Sequence, residues 1–106
     1  MKLNPGSLAI ICLAASFTPS AFAQSTAADT FKAKCQMCHG ADGVGATPAG
    51  KLVKIVSFKD PSVVNASDAD LIAVVKKGKN KMPPFEGKLS DDQIQSIIVY
   101  IRTLQK

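Results

Sequence analysis

The clearest hydrophobic pattern in the chain lies near its end, at residues 94–104. The apolar positions there are Ile94, Ile97, Ile98, Ile101 and Leu104. This spacing is typical of the buried face of an amphipathic helix. Ser90 stands just before the stripe and Gln93 follows Ser90 by three positions, which predicts a capping box at the first turn of the helix.

A second helix is predicted to begin after Ser67. Asp70 stands three positions later, where its side chain can complete a capping box. The buried face of this helix is predicted to comprise Leu71, Ile72 and Val75. Gly78 occupies the position where the C-terminus of the helix is expected.

The other segments predict short helices and loops rather than strands. Residues 29–38 can form a short helix, and the four glycines and one proline of residues 40–50 predict a long loop. Residues 52–58 are apolar, but with no partner strand elsewhere they are predicted to form a core-lining loop or a single turn. Residues 79–88 contain two adjacent prolines and are predicted to be irregular. The chain is therefore expected to be all-α and rich in loops.

The first 23 residues carry the features of a secretory signal peptide. Lys2 supplies a positive start, residues 8–17 form an apolar run, and residues 21–23 give a small-x-small cleavage pattern. A membrane-spanning helix needs about 20 apolar residues, and an uncleaved membrane anchor is the alternative. We therefore expect segment 1–23 to be cleaved and residues 24–106 to form one mature domain outside the cytoplasm, with no membrane anchor.

Composition narrows the possible functions further. The chain has 106 residues, 13 basic and 8 acidic, for a net charge of +5. This length allows one domain and excludes catalytic folds that need roughly 200 residues or more. The charge excess is small and no aromatic residues are interleaved with the basic ones, which argues against nucleic-acid binding. The 83 residues that follow the signal would bury only a modest core, which a large internal prosthetic group would enlarge.

Cys35, Cys38 and His39 form a C-x-x-C-H motif, the signature of c-type haem attachment. Positions i, i+3 and i+4 of a helical turn share one face, so both thiols and the imidazole can point at one object. The thiols can add to the two vinyl groups of the porphyrin, and the imidazole can bind iron axially. Export agrees with this interpretation, because in bacteria haem is attached after export.

Three other uses of the cysteine pair fit the sequence less well. A thioredoxin-like dithiol expects a βαβ context, and no strand pattern is present. A structural zinc site needs four ligands, whereas the mature segment contains three Cys and His residues in all. A disulfide between Cys35 and Cys38 would close a loop too small to constrain the unfolded chain much. Covalent haem attachment is the favoured hypothesis.

Elimination narrows the choice of the second axial ligand. His39 is the one histidine of the chain, and Met37 lies between the two cysteines, where the ring blocks its reach to the opposite face. With the initiator methionine removed, Met82 remains, followed by two prolines that stiffen its loop. A Met/His pair is a known arrangement of haem ligands. Ligation by Lys79 or Lys81, or an open sixth position, is the alternative.

The sequence resembles the small class I cytochromes c, in particular the soluble bacterial carriers and the similar proteins of algal and cyanobacterial lumens. The matching segments are residues 35–40 (CQMCHG), 78–85 (GKNKMPPF), 89–94 (LSDDQI) and 99–102 (VYIR). The resemblance implies a cytochrome c fold, in which three to five short helices surround one covalently attached haem c and the first and last helices cross. Phe31 would then meet the side of the last helix that carries Ile97, Tyr100 and Ile101.

The resemblance also implies that the protein is a one-electron carrier between redox proteins and not an enzyme. Its iron would cycle between Fe(II) and Fe(III) with His39 and Met82 as axial ligands. The alternatives are a haem peroxidase or gas-binding protein with an open iron site, and a subunit tethered to a larger complex. The family also has a proline whose carbonyl accepts a hydrogen bond from the haem histidine, a role that falls to Pro48.

Five lysines flank the Met82 loop: Lys76, Lys77, Lys79, Lys81 and Lys88. They form either an ordinary solvated surface or a positive rim that steers the protein onto acidic patches of its redox partners. A membrane-bound oxidase, a reductase or a photosystem would supply such patches. The carrier is expected to be a monomer located in the periplasm, or in the lumen if it comes from a photosynthetic organism.

Overall fold

The computed structural model describes Gly6 and residues 21–106, with side chains from residue 26 onward. The helices are α1 (Ala21–Lys34), α2 (Gln36–His39), α3 (Pro48–Leu52), α4 (Pro61–Val64), α5 (Asp68–Lys77) and α6 (Asp91–Leu104). Within these residues the fold contains no strand, only two isolated β-bridges. The prediction of an all-α fold is therefore confirmed, although the described residues form six helical segments instead of the expected three to five, and two of the six are single turns. The predicted signal segment lies outside the described residues except for Gly6 and the first three residues of α1.

Helix α6 is the main apolar element, as its sequence pattern predicts. The Ser90 hydroxyl accepts from the Gln93 N–H at 3.1 Å and the Gln93 side chain accepts from the Ser90 N–H at 2.8 Å, so the predicted capping box is formed. The buried residues of the helix are Ile94, Ile97, Ile98 and Ile101. Burying four isoleucines stabilises the fold by about 1.5–3 kcal/mol each.

The first and last helices pack against each other through aromatic contacts. Phe31 of α1 is almost fully buried, and its ring centroid lies 5.2 Å from that of Tyr100 in α6. Ile97 and Ile101 belong to the same core cluster as Phe31. The predicted meeting of Phe31 with this side of α6 is confirmed.

Helix α5 has the predicted limits. The Ser67 hydroxyl accepts from the Asp70 N–H at 3.0 Å, and Gly78 follows the last helical residue with a φ of +73°. Val75 is buried, while Leu71 and Ile72 are partly buried and pack against the core. A salt bridge of 3.0 Å between Lys76 and Asp91 joins the end of α5 to the beginning of α6.

The prediction of one helix over residues 29–38 is only partly correct. Helix α1 begins earlier, at Ala21, and ends at Lys34, and a turn at Cys35 separates it from the single turn of α2. Two further short helices, α3 and α4, were not predicted. Each begins with a proline that follows an N-capping side chain, Thr47 in α3 and Asp60 in α4, which is a favourable start for a helix.

Arg102 of α6 connects three helices through its guanidinium group. It donates hydrogen bonds to the backbone oxygens of Val63 (3.2 Å), Val64 (3.3 Å) and Ala66 (2.6 Å), at and just beyond the end of α4. It also bonds the carboxylate of Asp68, the first residue of α5, at 3.0 Å. The Val63 oxygen also accepts from the Ala66 N–H at 3.2 Å, and the guanidinium adds further donors to the carbonyl groups at the C-terminal end of α4.

Candidate functional site

A cavity of about 450 Å³ is bounded by the segment 53–58 and by residues of α1, α4, α5 and α6. Most of its walls are apolar, with Phe31, Ile55 and Phe58 among the lining residues. The predicted core-lining role of residues 52–58 is thus observed for most of the segment. Such a cavity suits a flat, largely apolar group held by a few specific side chains.

Three of the five predicted site residues lie on this cavity. They are Cys35, His39 and Met82. Cys38 is half-buried on α2 and Pro48 is the exposed first residue of α3, and neither is among the lining residues. Both cysteines are free thiols, so the disulfide alternative is not formed in this structure.

The C-x-x-C-H segment forms one tight helical turn. The N–H groups of Cys38 and His39 both donate to the carbonyl oxygen of Cys35, at 3.2 and 3.0 Å. The N–H of Cys35 donates to the Phe31 oxygen at 2.8 Å, which continues the direction of α1. The turn therefore has the helical backbone in which positions 35, 38 and 39 share one face, and Cys35 and His39 of this set line the cavity.

The loop after His39 folds back and holds this turn in place. The Thr47 hydroxyl donates to the Cys38 oxygen at 2.8 Å and accepts from the Gly50 N–H at 2.9 Å. The Gly45 N–H donates to the His39 oxygen at 2.8 Å. The loop thereby supplies hydrogen-bond donors to the carbonyl groups of Cys38 and His39 at the end of α2, and these bonds fix the backbone of both residues.

His39 carries a buried nitrogen that lacks a hydrogen bond. Its Nδ1 atom has no hydrogen-bond partner within the part of the chain that the structure describes. Burial lowers the pKa of His39 below its ordinary value of 6.5, because desolvation disfavours the charged form. The imidazole is therefore neutral near pH 7, which is the form that binds metals. The predicted hydrogen bond to the Pro48 carbonyl is not formed here, and the role of Pro48 stays a prediction.

The sulfur of Cys35 is also uncharged at neutral pH. Burial raises the pKa of Cys35 to about 11, and the nearby positive charge of Lys34 opposes part of this effect. A thiol buried in apolar surroundings remains protonated and reacts slowly in disulfide exchange. The cavity wall at Cys35 therefore carries no charge.

Met82 is placed by a turn that is attached to the end of α5. The N–H of Lys79 donates to the Met82 oxygen at 3.2 Å and the N–H of Met82 donates to the Lys79 oxygen at 3.0 Å. Asn80, inside the turn, has a φ of +54°. Beyond the turn, the N–H of Phe85 donates to the Val75 oxygen at 3.0 Å. This stiff connection carries Met82 to the cavity.

Phe58 is a site residue that the sequence pattern did not single out. Its ring stacks on the His39 imidazole, with centroids 4.7 Å apart and planes inclined by 26°. The two residues are separated by a glycine-rich loop and a short helix, and no helical or strand spacing links them. An aromatic residue ending an apolar stretch was the only available signal.

The zinc alternative finds no support in the described residues, whereas the membrane-anchor alternative concerns residues 1–23, most of which lie outside them. No group of three or more His, Cys, Asp or Glu side chains in the described part of the chain could hold a metal ion, so no zinc site is formed there. Within the same residues, each helix is too short or too polar to cross a bilayer.

Comparison with known proteins places the chain in one family. The family model described as cytochrome c oxidase, cbb3-type, subunit III matches residues 22–101. The chain is 41% identical over 73 residues to cytochrome c6 of Leptolyngbya boryana, covering 67% of this chain and 80% of that one. It is 36% identical over 93 residues to cytochrome c6 of Thermosynechococcus vestitus, covering 86% of this chain and 80% of that one.

A solved structure is similar as well. The KustC0563 c-type cytochrome superimposes with a TM-score of 0.69 at 26% identity, over 76% of this chain and 98% of that one. This structural similarity agrees with the family match in sequence. The chain therefore belongs to the c-type cytochromes, as a small class I member.

Proposed function

We propose that Cys35, Cys38, His39 and Met82 hold the haem of this protein. Membership of the family means that the chain binds one covalently attached haem c and carries single electrons. In our proposal the thiols of Cys35 and Cys38 form the thioether bonds. The His39 imidazole and the Met82 thioether are the two axial ligands of the iron.

One observation carries the assignment: His39 and Met82, 43 residues apart in sequence, line the same cavity together with Cys35. The donor set fits the group. A neutral imidazole and a thioether are ligands that haem iron accepts in cytochromes. The apolar walls suit a porphyrin ring, and His39 lies on one of these walls as a half-buried imidazole whose pKa is lowered by burial.

The residues around the site each have a definite task. The bound haem supplies the one-electron couple of its iron. The Met82 thioether, as a neutral and weak donor, raises the reduction potential relative to a second imidazole. Phe31, Ile55 and the isoleucines of α6 exclude water and lower the local dielectric. With both axial positions filled by side chains, no substrate needs access to the metal, which suits a carrier rather than an enzyme.

The partners in this proposal are redox proteins with acidic docking patches. Lys79 and Lys81 are exposed and lie on the cavity, so they place positive charge beside the site. Such charge steers encounter with an acidic surface and raises the association rate at low salt. We place the mature protein in the periplasm as a monomer, in agreement with the C-x-x-C-H motif and the predicted signal segment.

The test of this function uses the exported protein. A haem stain together with an intact mass should show the loss of residues 1–23 and the gain of one haem. Visible spectra of the oxidised protein should then show that Met82→Ala loses the absorption of methionine-ligated ferric haem and gains the ability to bind carbon monoxide when reduced. Met37→Ala is the matched control, because Met37 is 79% exposed and does not line the cavity.

The opposite outcome is equally clear. If Met82→Ala has the spectrum of the parent, the axial assignment is wrong. If the parent itself binds carbon monoxide readily, an open iron site and the enzyme alternative are favoured over an electron carrier.

A further inference from the structure

We propose that Phe58 is a positioning residue that sets the plane of the His39 imidazole. The inference rests on the proposed function, in which His39 is an axial ligand. The two rings stack with centroids 4.7 Å apart and an angle of 26° between their planes. Such near-parallel contact restricts rotation of the imidazole about its side-chain bonds while leaving the ring edges free, and a ligand nitrogen lies on a ring edge.

Phe58 is held firmly enough to act as the fixed partner. Its N–H donates to the Gly43 oxygen at 2.9 Å, and its carbonyl oxygen accepts from the Gln105 side chain at 2.9 Å. Its ring also meets Phe31 edge-on, with centroids 6.1 Å apart and planes at 60°. Only 7% of Phe58 is exposed, so its ring has little freedom to follow a movement of His39.

Gly43 provides the space that the stack requires. A Cβ atom at this position would overlap the Phe58 ring, and the φ of Gly43 is +75°, a conformation that favours glycine. Any side chain at position 43 would push the Phe58 ring away from its place. A substitution at Gly43 can therefore disturb the stacking of Phe58 on His39 while Phe58 itself is kept.

The imidazole has no competing polar restraint at its buried nitrogen. In the described structure the Nδ1 atom of His39 has no hydrogen-bond partner. Metal-ligating histidines usually have their ring orientation set by a hydrogen bond from the nitrogen that does not bind the metal. In this chain the stacking contact takes over that orienting role.

The orientation of an axial imidazole has a direct spectroscopic signature. In oxidised low-spin haem the ligand plane determines how unpaired electron density is distributed over the porphyrin. The paramagnetic shifts of the four haem methyl groups in proton NMR report that distribution. A rotation of the His39 ring should therefore reorder or spread these resonances even when both axial ligands remain bound.

The experiment compares the haem-loaded proteins Phe58→Leu, Phe58→Tyr and Gly43→Ala with the parent and with Ile94→Ala. Ile94 is fully buried but does not line the cavity, so Ile94→Ala controls for the general loss of core packing. We expect changed methyl shifts for Phe58→Leu and Gly43→Ala, and shifts close to the parent for Phe58→Tyr, which keeps the ring. Ile94→Ala should lose stability without changing the shift pattern.

The proposal is overturned if Phe58→Leu and Gly43→Ala change the methyl shifts no more than Ile94→Ala does. If Phe58→Leu does not accumulate as a loaded protein, Gly43→Ala and Phe58→Tyr decide the question alone. Failure of the proposed function would look different: the parent spectrum itself would lack the signature of histidine and methionine ligation. The two failures are thus distinguishable.

Discussion

Gly50 lies directly against the carbonyl oxygen of Cys38, so closely that a methyl group at position 50 would overlap this oxygen. The same oxygen accepts a hydrogen bond from the Thr47 hydroxyl at 2.8 Å. The end of the C-x-x-C-H turn is therefore enclosed by α3, the short helix that begins at Pro48. The backbone that carries the thiols and the imidazole is held by contact as well as by hydrogen bonds.

Gly50→Ala should destabilise the protein by about 1–3 kcal/mol, the usual cost of overpacking. Helix propensity alone predicts the opposite, because alanine is favoured over glycine in a helix by roughly 0.5–1 kcal/mol. The atoms in the way are backbone oxygens of Cys38 and Gly45, which cannot move aside as a flexible side chain would. Guanidinium unfolding of the haem-loaded protein measures the change in the free energy of unfolding. A variant more stable than the parent would contradict the role given to the contact between Gly50 and the Cys38 oxygen.

Gly78→Ala should displace Met82. A Cβ atom at position 78 would lie 2.6 Å from the Met82 oxygen, and the φ of +73° adds the cost of a left-handed residue, about 1–2 kcal/mol. We expect the loss of stability to exceed the cost of the left-handed conformation alone, because the clash with Met82 adds to it. We also expect a weakened absorption of the methionine-ligated ferric haem. Gly87→Ala is the matched control, because Gly87 has a φ of +81° but no atom within 4 Å of the added methyl. Equal effects of the two substitutions would show that the contact with Met82 is unimportant.

Arg102→Lys should cost about 1–3 kcal/mol, in the range of hydrogen bonds to charged groups. Lysine keeps the charge but lacks the planar group that reaches the Val63, Val64 and Ala66 carbonyls at once. Asp68→Asn tests the ion pair separately and should cost less than 1 kcal/mol, as exposed pairs do. Thermal unfolding of both variants distinguishes the contributions; a larger effect of Asp68→Asn would show that the ion pair, and not the carbonyl contacts, is the important part.

The cap of α4 should give a pH-dependent stability. Hydrogen bonds from the hydroxyl and backbone N–H of Ser62 lower the pKa of Asp60 below its ordinary value of 3.8. The stabilisation is complete above pH 3.8, where the unfolded chain is also ionised, and is lost as the pH falls through the lower folded value. We expect the difference in unfolding free energy between the parent and Asp60→Asn to be constant near neutral pH and to change only below about pH 4. Ser62→Ala should reduce that change, and an unchanged pH dependence in this variant would contradict the assignment.

The sequence predicts best what depends on neighbours in the chain. The stripe of α6, its capping box and the stop at Gly78 are local patterns, and the structure has each of them. The chemistry of the C-x-x-C-H motif is equally local. Met82 could be predicted as an iron ligand because the mature segment contains few other side chains that could bind iron. The prediction therefore did not require knowing which residues lie close together in space.

What the sequence could not show depends on contacts between loops. The stacking of Phe58 on His39 joins residues 19 positions apart that do not share a helix or a strand, so no hydrophobic periodicity predicts the contact. Helices α3 and α4 are only five and four residues long, which is too short for a recognisable apolar stripe. The pairs Thr47–Pro48 and Asp60–Pro61 were the available signals, since an N-capping residue followed by proline is a common start of a helix. The position assigned to Pro48 came from similarity to relatives, and its carbonyl does not bond His39 in this structure.

The packing of Tyr100 against Phe31 gives the protein an intrinsic optical probe. The chain contains one tyrosine and no tryptophan, and that tyrosine is partly buried where α1 meets α6. A porphyrin absorbs at the wavelengths at which tyrosine emits, so energy transfer to the haem should quench Tyr100 in the loaded protein. We expect this emission to rise when the two terminal helices separate, so that a stopped-flow trace would follow their docking without any added label.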